Sequence, residues 1–117
     1  MTTDAAPLGW DEFQRVDLRV GTIVEAQEFP EARSPAYRLR VDLGAELGVR
    51  SSSAQITELY TPESLVGRRV LCVVNFAPRQ IGPMMSEVLV TGVHREDGAV
   101  ALTTVDDLDV PNGARLA

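Results

Sequence analysis

The sequence predicts an all-β domain: a five-stranded barrel with one short helix between its third and fourth strands. Three observations predict it. Short alternations of apolar and polar residues recur along the chain, the period of half-buried strands. Turn-forming clusters at residues 30–35, 44–48, 96–98 and 111–113 separate them. A helix start at Thr61-Pro62-Glu63 falls after the third strand, and three strands, a helix and further strands is the order of an OB barrel. The strand pattern alone also fits an SH3-like barrel; the inserted helix favours the OB arrangement.

Taken in order, residues 10–14 read as a short helix leading into the first strand. Residues 16–20, Val-Asp-Leu-Arg-Val, alternate, and Ile23-Val24 continue the strand beyond Gly21. An isolated glycine in such a pattern predicts a bulge or bend, which a long strand needs to wrap a small barrel. The cleanest signal is residues 37–43. Tyr37, Leu39, Val41 and Leu43 take one face, and Arg38, Arg40 and Asp42 the other. Residues 44–48 read as a turn and 49–54 as a polar third strand. Thr61 caps the helix, Pro62 takes its first position and Gly67 ends it. Residues 69–76 form a near-continuous apolar run, expected to be buried on both sides. Residues 78–85 read as irregular, 87–93 as a strand, and 99–105 as its hairpin partner across the turn at 96–98.

The 117 residues make one domain, 1–117, with 44% hydrophobic and 24% charged residues. Aromatics are only 5%, so the core rests on Val, Leu, Ile and Ala. The longest apolar run, 70–74, is far below the ~20 residues a membrane helix needs, and residues 1–9 carry no signal-peptide pattern. One cysteine, Cys72, allows no intramolecular disulfide. The expectation is a cytoplasmic protein with no membrane insertion. Residues 1–15 and 106–117 read as terminal extensions. Trp10, Phe13, Val110 and Leu116 lie outside the barrel pattern and need cover, which a twofold partner supplies, so a homodimer is expected.

The formal charge is −6, and its distribution is uneven. Residues 1–31 hold seven acids against two arginines, and residues 96–117 five acids against one. Residues 67–95 reverse the balance, with Arg68, Arg69, Arg79 and Arg95 against Glu87. Every basic residue is arginine, a planar fork that grips phosphate or carboxylate bidentately.

Nothing in the sequence points to catalysis. His94 is the only histidine and has no second ligand at metal spacing; Cys72 sits in an apolar run as a small hydrophobe. No Gly-x-Ser-x-Gly elbow and no phosphate-cradling glycine loop is present. No catalytic residue, cofactor or metal is expected. The binding candidates are different. Arg38 and Arg40 share the outward face of strand two, the surface on which OB folds take oligonucleotides, although charges on that face also simply solvate it. Arg50-Ser51-Ser52-Ser53-Ala54-Gln55 follows, rich in short donors and weak in strand propensity, as a contact surface or an exposed edge. The segment 75–87 carries Asn75, Arg79, Ile81, Met84, Met85 and Ser86. Adjacent methionines on a loop adapt to apolar ligand, peptide or base surfaces; they also serve to plug a barrel end.

Three strings carry a resemblance: Val16-Asp17-Leu18-Arg19-Val20-Gly21-Thr22-Ile23, Ser53-Ala54-Gln55-Ile56, and Asn75-Phe76-Ala77-Pro78-Arg79-Gln80-Ile81-Gly82-Pro83-Met84-Met85-Ser86. They resemble the tRNA-binding-domain family, which includes stand-alone dimeric tRNA-binding proteins, the C-terminal appendage of some methionyl-tRNA synthetases, and an export-related chaperone branch. The likeness covers nearly the whole chain, from about Trp10 to Leu116. It implies an OB fold with terminal extensions that build a symmetric dimer. It implies tRNA binding through Ser53, Gln55, Asn75, Ile81, Gly82, Met85 and Ser86, and, for the chaperone branch, binding of unfolded or pre-secretory polypeptide. With the arginines, the expected RNA contacts are Arg38, Arg40, Ser53, Gln55, Asn75, Arg79 and Ser86. The expected peptide contacts are Ile81, Met84 and Met85. Net acidity and the absence of lysine set this sequence apart from RNA-binding relatives.

Overall fold

The computed structural model describes residues 6–116. The short helix α1 (Trp10–Gln14) opens the described chain, its start held by the Gly9 N–H donating to the Glu12 carboxylate at 3.0 Å. The strands β1 (Leu18–Glu28), β2 (Tyr37–Asp42), β3 (Val49–Ala54), β4 (Arg69–Val73) and β7 (Leu89–Val90) form one antiparallel sheet in the order β3-β2-β1-β4-β7. The sheet curls until its edges meet. The Ser51 carbonyl of β3 accepts from the Glu87 N–H at 2.9 Å and the Val88 N–H at 3.3 Å, just before β7. The result is the OB barrel that the strand order predicts, with α3 (Pro62–Leu65) between β3 and β4.

Alternation fills the interior. Ile23, Leu39, Val41, Leu43, Val70 and Cys72 are fully buried, and Leu65 of α3 closes one end. Burying such side chains contributes roughly 1.5–3 kcal/mol each. Thr61 caps α3 as expected: its hydroxyl accepts the Ser64 N–H, and the Ser64 hydroxyl accepts the Thr61 N–H.

Several local expectations need correction. Gly21 is not the bulge. It pairs regularly with Val70, and a side chain there would come within 2.5 Å of Val41 and 2.8 Å of Leu43, so close packing requires the glycine. The bulge sits at Val24, between the pairs Ile23–Val41 and Glu25–Arg40. Residues 44–48, read as a turn, contain the one-turn helix α2 (Gly44–Leu47). Strand β4 is shorter than 69–76 and is only partly buried on its second face: Val70 and Cys72 are buried on one face, and on the other Val73 is buried but Arg69 and Leu71 only partly. The expected strand 87–93 breaks at Thr91. Its first part, β7, stays on the barrel; its second, β8 (Gly92–His94), leaves to pair with β9 (Val100–Leu102). Thr91 stands at the break: its N–H and hydroxyl donate to the Leu71 carbonyl of β4, while its own carbonyl accepts the Thr103 N–H just beyond β9.

The largest correction concerns residues 78–85. They are not irregular. Strands β5 (Arg79–Ile81) and β6 (Met84–Ser86) make a tight hairpin around Gly82-Pro83. Gly82 takes a left-handed φ of +54°, which favours glycine, and Pro83 fixes its own φ for the return.

The C-terminal segment is tied to the barrel. Residues 113–116 run antiparallel to the start of β1, through Gly113 N–H to the Val20 carbonyl (2.7 Å), Val20 N–H to Ala114 (2.9 Å) and Leu116 N–H to Leu18 (2.8 Å). Asp17 adds an ion pair with Arg19 at 2.7 Å and one with Arg115 at 3.4 Å.

Candidate functional site

The bulge at Val24 decides what the outer barrel face carries. Ile23 points into the core, and after the extra residue the inward parity passes to Ala26. Glu25 and Gln27 therefore turn outward beside β2. Two rungs cross the face at adjacent outward positions: Gln27–Arg38–Ser53 and Glu25–Arg40–Ser51. In the first, an Arg38 Nη donates to Gln27 Oε1 at 3.1 Å, and the guanidinium lies 5.5 Å from the ring centre of Phe29. In the second, Arg40 and Glu25 stand 3.7 Å apart and are both about half exposed, a loose pair.

The β5–β6 hairpin is held over this floor by the backbone N–H groups of Ser51 and Ser53 and the Ser51 hydroxyl. Ser53 donates its N–H to Ser86 Oγ at 3.1 Å. Ser51 donates its N–H to Glu87 Oε1 at 3.0 Å, and its hydroxyl lies 2.8 Å from the Met85 carbonyl and 2.9 Å from the same Glu87 oxygen. The Ser51 N–H holds the Glu87 carboxyl below its ordinary range, against the opposing effect of burial and with help from the Ser51 hydroxyl, Arg50 and Arg40. Between floor and hairpin lies a groove of about 360 Å³, with Arg38 and Arg40 beneath and Met84 and Met85 along one wall. Of the serine run, Ser51 fastens the hairpin through both its N–H and its hydroxyl, and Ser53 through its N–H.

The expected site residues divide accordingly. Arg38, Arg40, Ser53, Ser86, Met84 and Met85 come together at the groove and its hairpin. Arg79 pairs with Ser86 in the hairpin register and is exposed, and Ile81 pairs with Met84 and is half-buried. Gln55 is exposed just past the end of β3. Asn75 is elsewhere: its Oδ1 accepts the Asp17 N–H at 3.0 Å and its Nδ2 donates to the Arg15 carbonyl at 2.6 Å, so its amide anchors the start of β1. Ser51, from the polar run expected as a contact surface, also lines the groove, together with Glu25, Gln27 and Glu87, which the sequence pattern does not mark as site residues. Glu25 and Gln27 follow from the bulge, which no composition signal marks. Glu87 is the lone acid in the basic stretch 67–95, a signal of its place that the sequence does carry.

Burial pushes the Cys72 thiol up to about 12, the state of an inert core residue. Among the described residues no three His, Cys, Asp or Glu side chains gather as a metal site, and no helix is long and apolar enough to cross a membrane.

A small OB barrel with a polar strand face roofed by a fastened hairpin defines a binding module. The comparisons give its family. Residues 18–115 match the family model described as "Putative tRNA binding domain", and the chain belongs to that family. It is 36% identical over 104 residues to a methionine–tRNA ligase of Flavobacterium psychrophilum, covering 89% of this chain and 15% of that protein. The chain thus spans about 15% of the length of the curated relatives it matches. Among solved structures it is similar to chaperone CsaA of Bacillus anthracis, with 46% identity, a TM-score of 0.87, and 96% of this chain and 100% of that one covered. It is also similar to the CsaA chaperone protein of Picrophilus torridus, with 40% identity, a TM-score of 0.88, and 95% and 100% covered.

Proposed function

We propose that this protein binds tRNA or similarly structured RNA on the roofed face of its barrel and catalyses no reaction. The observation that carries the reading is the pair of outward arginines, Arg38 and Arg40, on the strand face of a tRNA-binding-family barrel. Arginine forks suit phosphate, and side chains that contact phosphate position an RNA without reading its sequence. Arg79, Ser53 and Ser86 extend the contact surface onto the hairpin, and Gln55 borders it. Asn75 acts by holding the start of β1. With a net charge of −6, long-range attraction is weak, so affinity depends on local contacts. Filter binding of total tRNA across a salt series tests the reading. Binding that weakens with salt is expected, with about 0.7–0.9 of logarithmic slope per phosphate neutralised. No retention of tRNA at low salt would overturn it.

A second reading has its own observation. Met85 is 45% exposed, Met84 and Ile81 are half-buried, and this strip of thioether and alkyl surface suits unfolded or pre-secretory polypeptide. The similarity to CsaA chaperones favours the same ligand. Peptide binding through apolar burial responds weakly to salt, which separates it from RNA binding in the same assay.

The working unit proposed is a homodimer in the cytoplasm, formed by a single domain whose terminal extensions meet a partner. Trp10 is 64% exposed and stacks obliquely on Phe13 at 5.8 Å between ring centres, while Leu8 and Leu116 are also exposed. Val110 is half-buried.

A further inference from the structure

The groove between the hairpin and the barrel face has a composition that a phosphate track does not need. Its two arginines, Arg38 and Arg40, are matched by two carboxylates, Glu25 and Glu87. The lining is therefore formally neutral. Glu87, its carboxyl held low, stays ionised at neutral pH. A backbone of phosphates laid along this groove would meet two anions for every two cations, and repulsion would offset the attraction. A flat, uncharged, polar ligand would not.

The individual side chains fit such a ligand. The Arg38 guanidinium lies over the Phe29 ring and is oriented by its hydrogen bond to Gln27. Its Nε is closed off from solvent and has no hydrogen-bond acceptor among the described residues. A guanidinium plane held in this way is a stacking surface for a base as well as a donor. Met84 and Met85 offer the polarisable wall that adapts to a ring face. Glu25 is only loosely paired with Arg40 and can accept from exocyclic amino groups, as carboxylates do with cytosine. The volume, about 360 Å³, is near the lower end for small-ligand sites.

We infer that this groove takes one unpaired nucleobase, extruded from the bound RNA and bearing an exocyclic amino group, between the Arg38 guanidinium and the Met84–Met85 wall. The inference rests on the RNA-binding reading and deepens it. Phosphates are gripped at the rim, by Arg79 and the outer reach of Arg40, and the groove itself reads an unstacked base. Single-stranded RNA is then a better ligand for the groove than duplex RNA.

Competition against labelled tRNA tests this, with short single-stranded oligocytidylate, oligoadenylate and oligouridylate beside a blunt RNA duplex of equal phosphate count. Oligocytidylate and oligoadenylate should displace tRNA, the duplex should not, and oligouridylate should be weaker. Met85→Ala changes an exposed side chain and should leave the fold intact, yet weaken the two effective oligomers about tenfold with an unchanged salt slope. Glu25→Gln, also exposed, should narrow their advantage over oligouridylate. Equal displacement by duplex, or oligomer binding indifferent to Met85→Ala, overturns the inference and leaves RNA binding standing. Displacement by an unfolded peptide but by none of the oligomers gives the groove to polypeptide and overturns it as well. Failure of tRNA itself to bind removes the underlying reading too.

Discussion

Ser51 and Glu87 hold each other from both directions: the Ser51 N–H donates to Glu87 Oε1 at 3.0 Å, and the Glu87 N–H donates to the Ser51 carbonyl at 2.9 Å. One pair of residues thus closes the barrel and fastens the hairpin that roofs the groove.

That pair makes stability depend on pH in a definite direction. The Glu87 carboxyl titrates below its ordinary 4.5, so its contribution is fully present above that value. It is lost as pH falls below 4.5 through the lowered folded value. Glu87→Gln should cost about 1.5–3 kcal/mol at neutral pH, the usual range for hydrogen bonds to a charged group. Thermal melts of both proteins from neutral to acid pH should converge as the wild type loses its advantage. A constant gap across that range would show that the charge plays no part.

Arg38→Ala and Arg40→Ala should each weaken tRNA binding; Arg40→Ala, at the rim, should lower the salt slope by about one, whereas Arg38→Ala, on the groove floor, should leave the slope nearly unchanged. Arg38→Ala should be the more damaging. It also removes the plane held over Phe29, whereas Arg40 is half exposed and tethered only to Glu25. Titrations at several salt concentrations check both the slope and the ranking.

Asn75→Ala should behave differently. Its amide bridges the Asp17 N–H and the Arg15 carbonyl, so the loss is of anchorage. A stability loss of about 1–2 kcal/mol with an unchanged salt slope is expected. Denaturant unfolding combined with the tRNA salt series separates this from a direct RNA contact.

Gly21→Ala should destabilise by roughly 1–3 kcal/mol, because the added methyl meets Val41 at 2.5 Å inside a packed barrel. Cys72 should resist thiol reagents in the folded protein and react once it unfolds, since its thiol is fully buried and pushed up to about 12. Labelling rates with and without denaturant measure this directly.

Light scattering at micromolar concentration should give a dimer mass, and Trp10→Glu should shift it to monomer. The exposed cluster of Leu8, Trp10 and Leu116 is the surface concerned. An interface of at least ~1,200 Å² in total is expected of a stable pair. A wild-type monomer would remove this assignment.

The sequence by itself determined the barrel. The alternation of Tyr37, Leu39, Val41 and Leu43 against Arg38, Arg40 and Asp42 commits β2 to one buried face, because a strand's side chains repeat every two residues. Thr61-Pro62 placed α3 for equally local reasons, a cap and a preset φ. The two arginines of the candidate site were legible on the same grounds. Their surroundings were not. The Val24 bulge shifts parity by one residue, and only the register against Val41 and Arg40 reveals that Glu25 and Gln27 turn outward. Residues 78–85 read as irregular because three-residue strands carry too short a pattern to detect. They form a hairpin because Ser51 and Ser53, far back in the chain, supply its hydrogen-bond partners. The amide of Asn75 finds its partners at Arg15 and Asp17, some sixty residues earlier, which no local pattern marks. Periodicity and caps act between neighbours in sequence and can be read there; register, closure and the pairing of polar groups act between distant segments, and only the folded chain decides them.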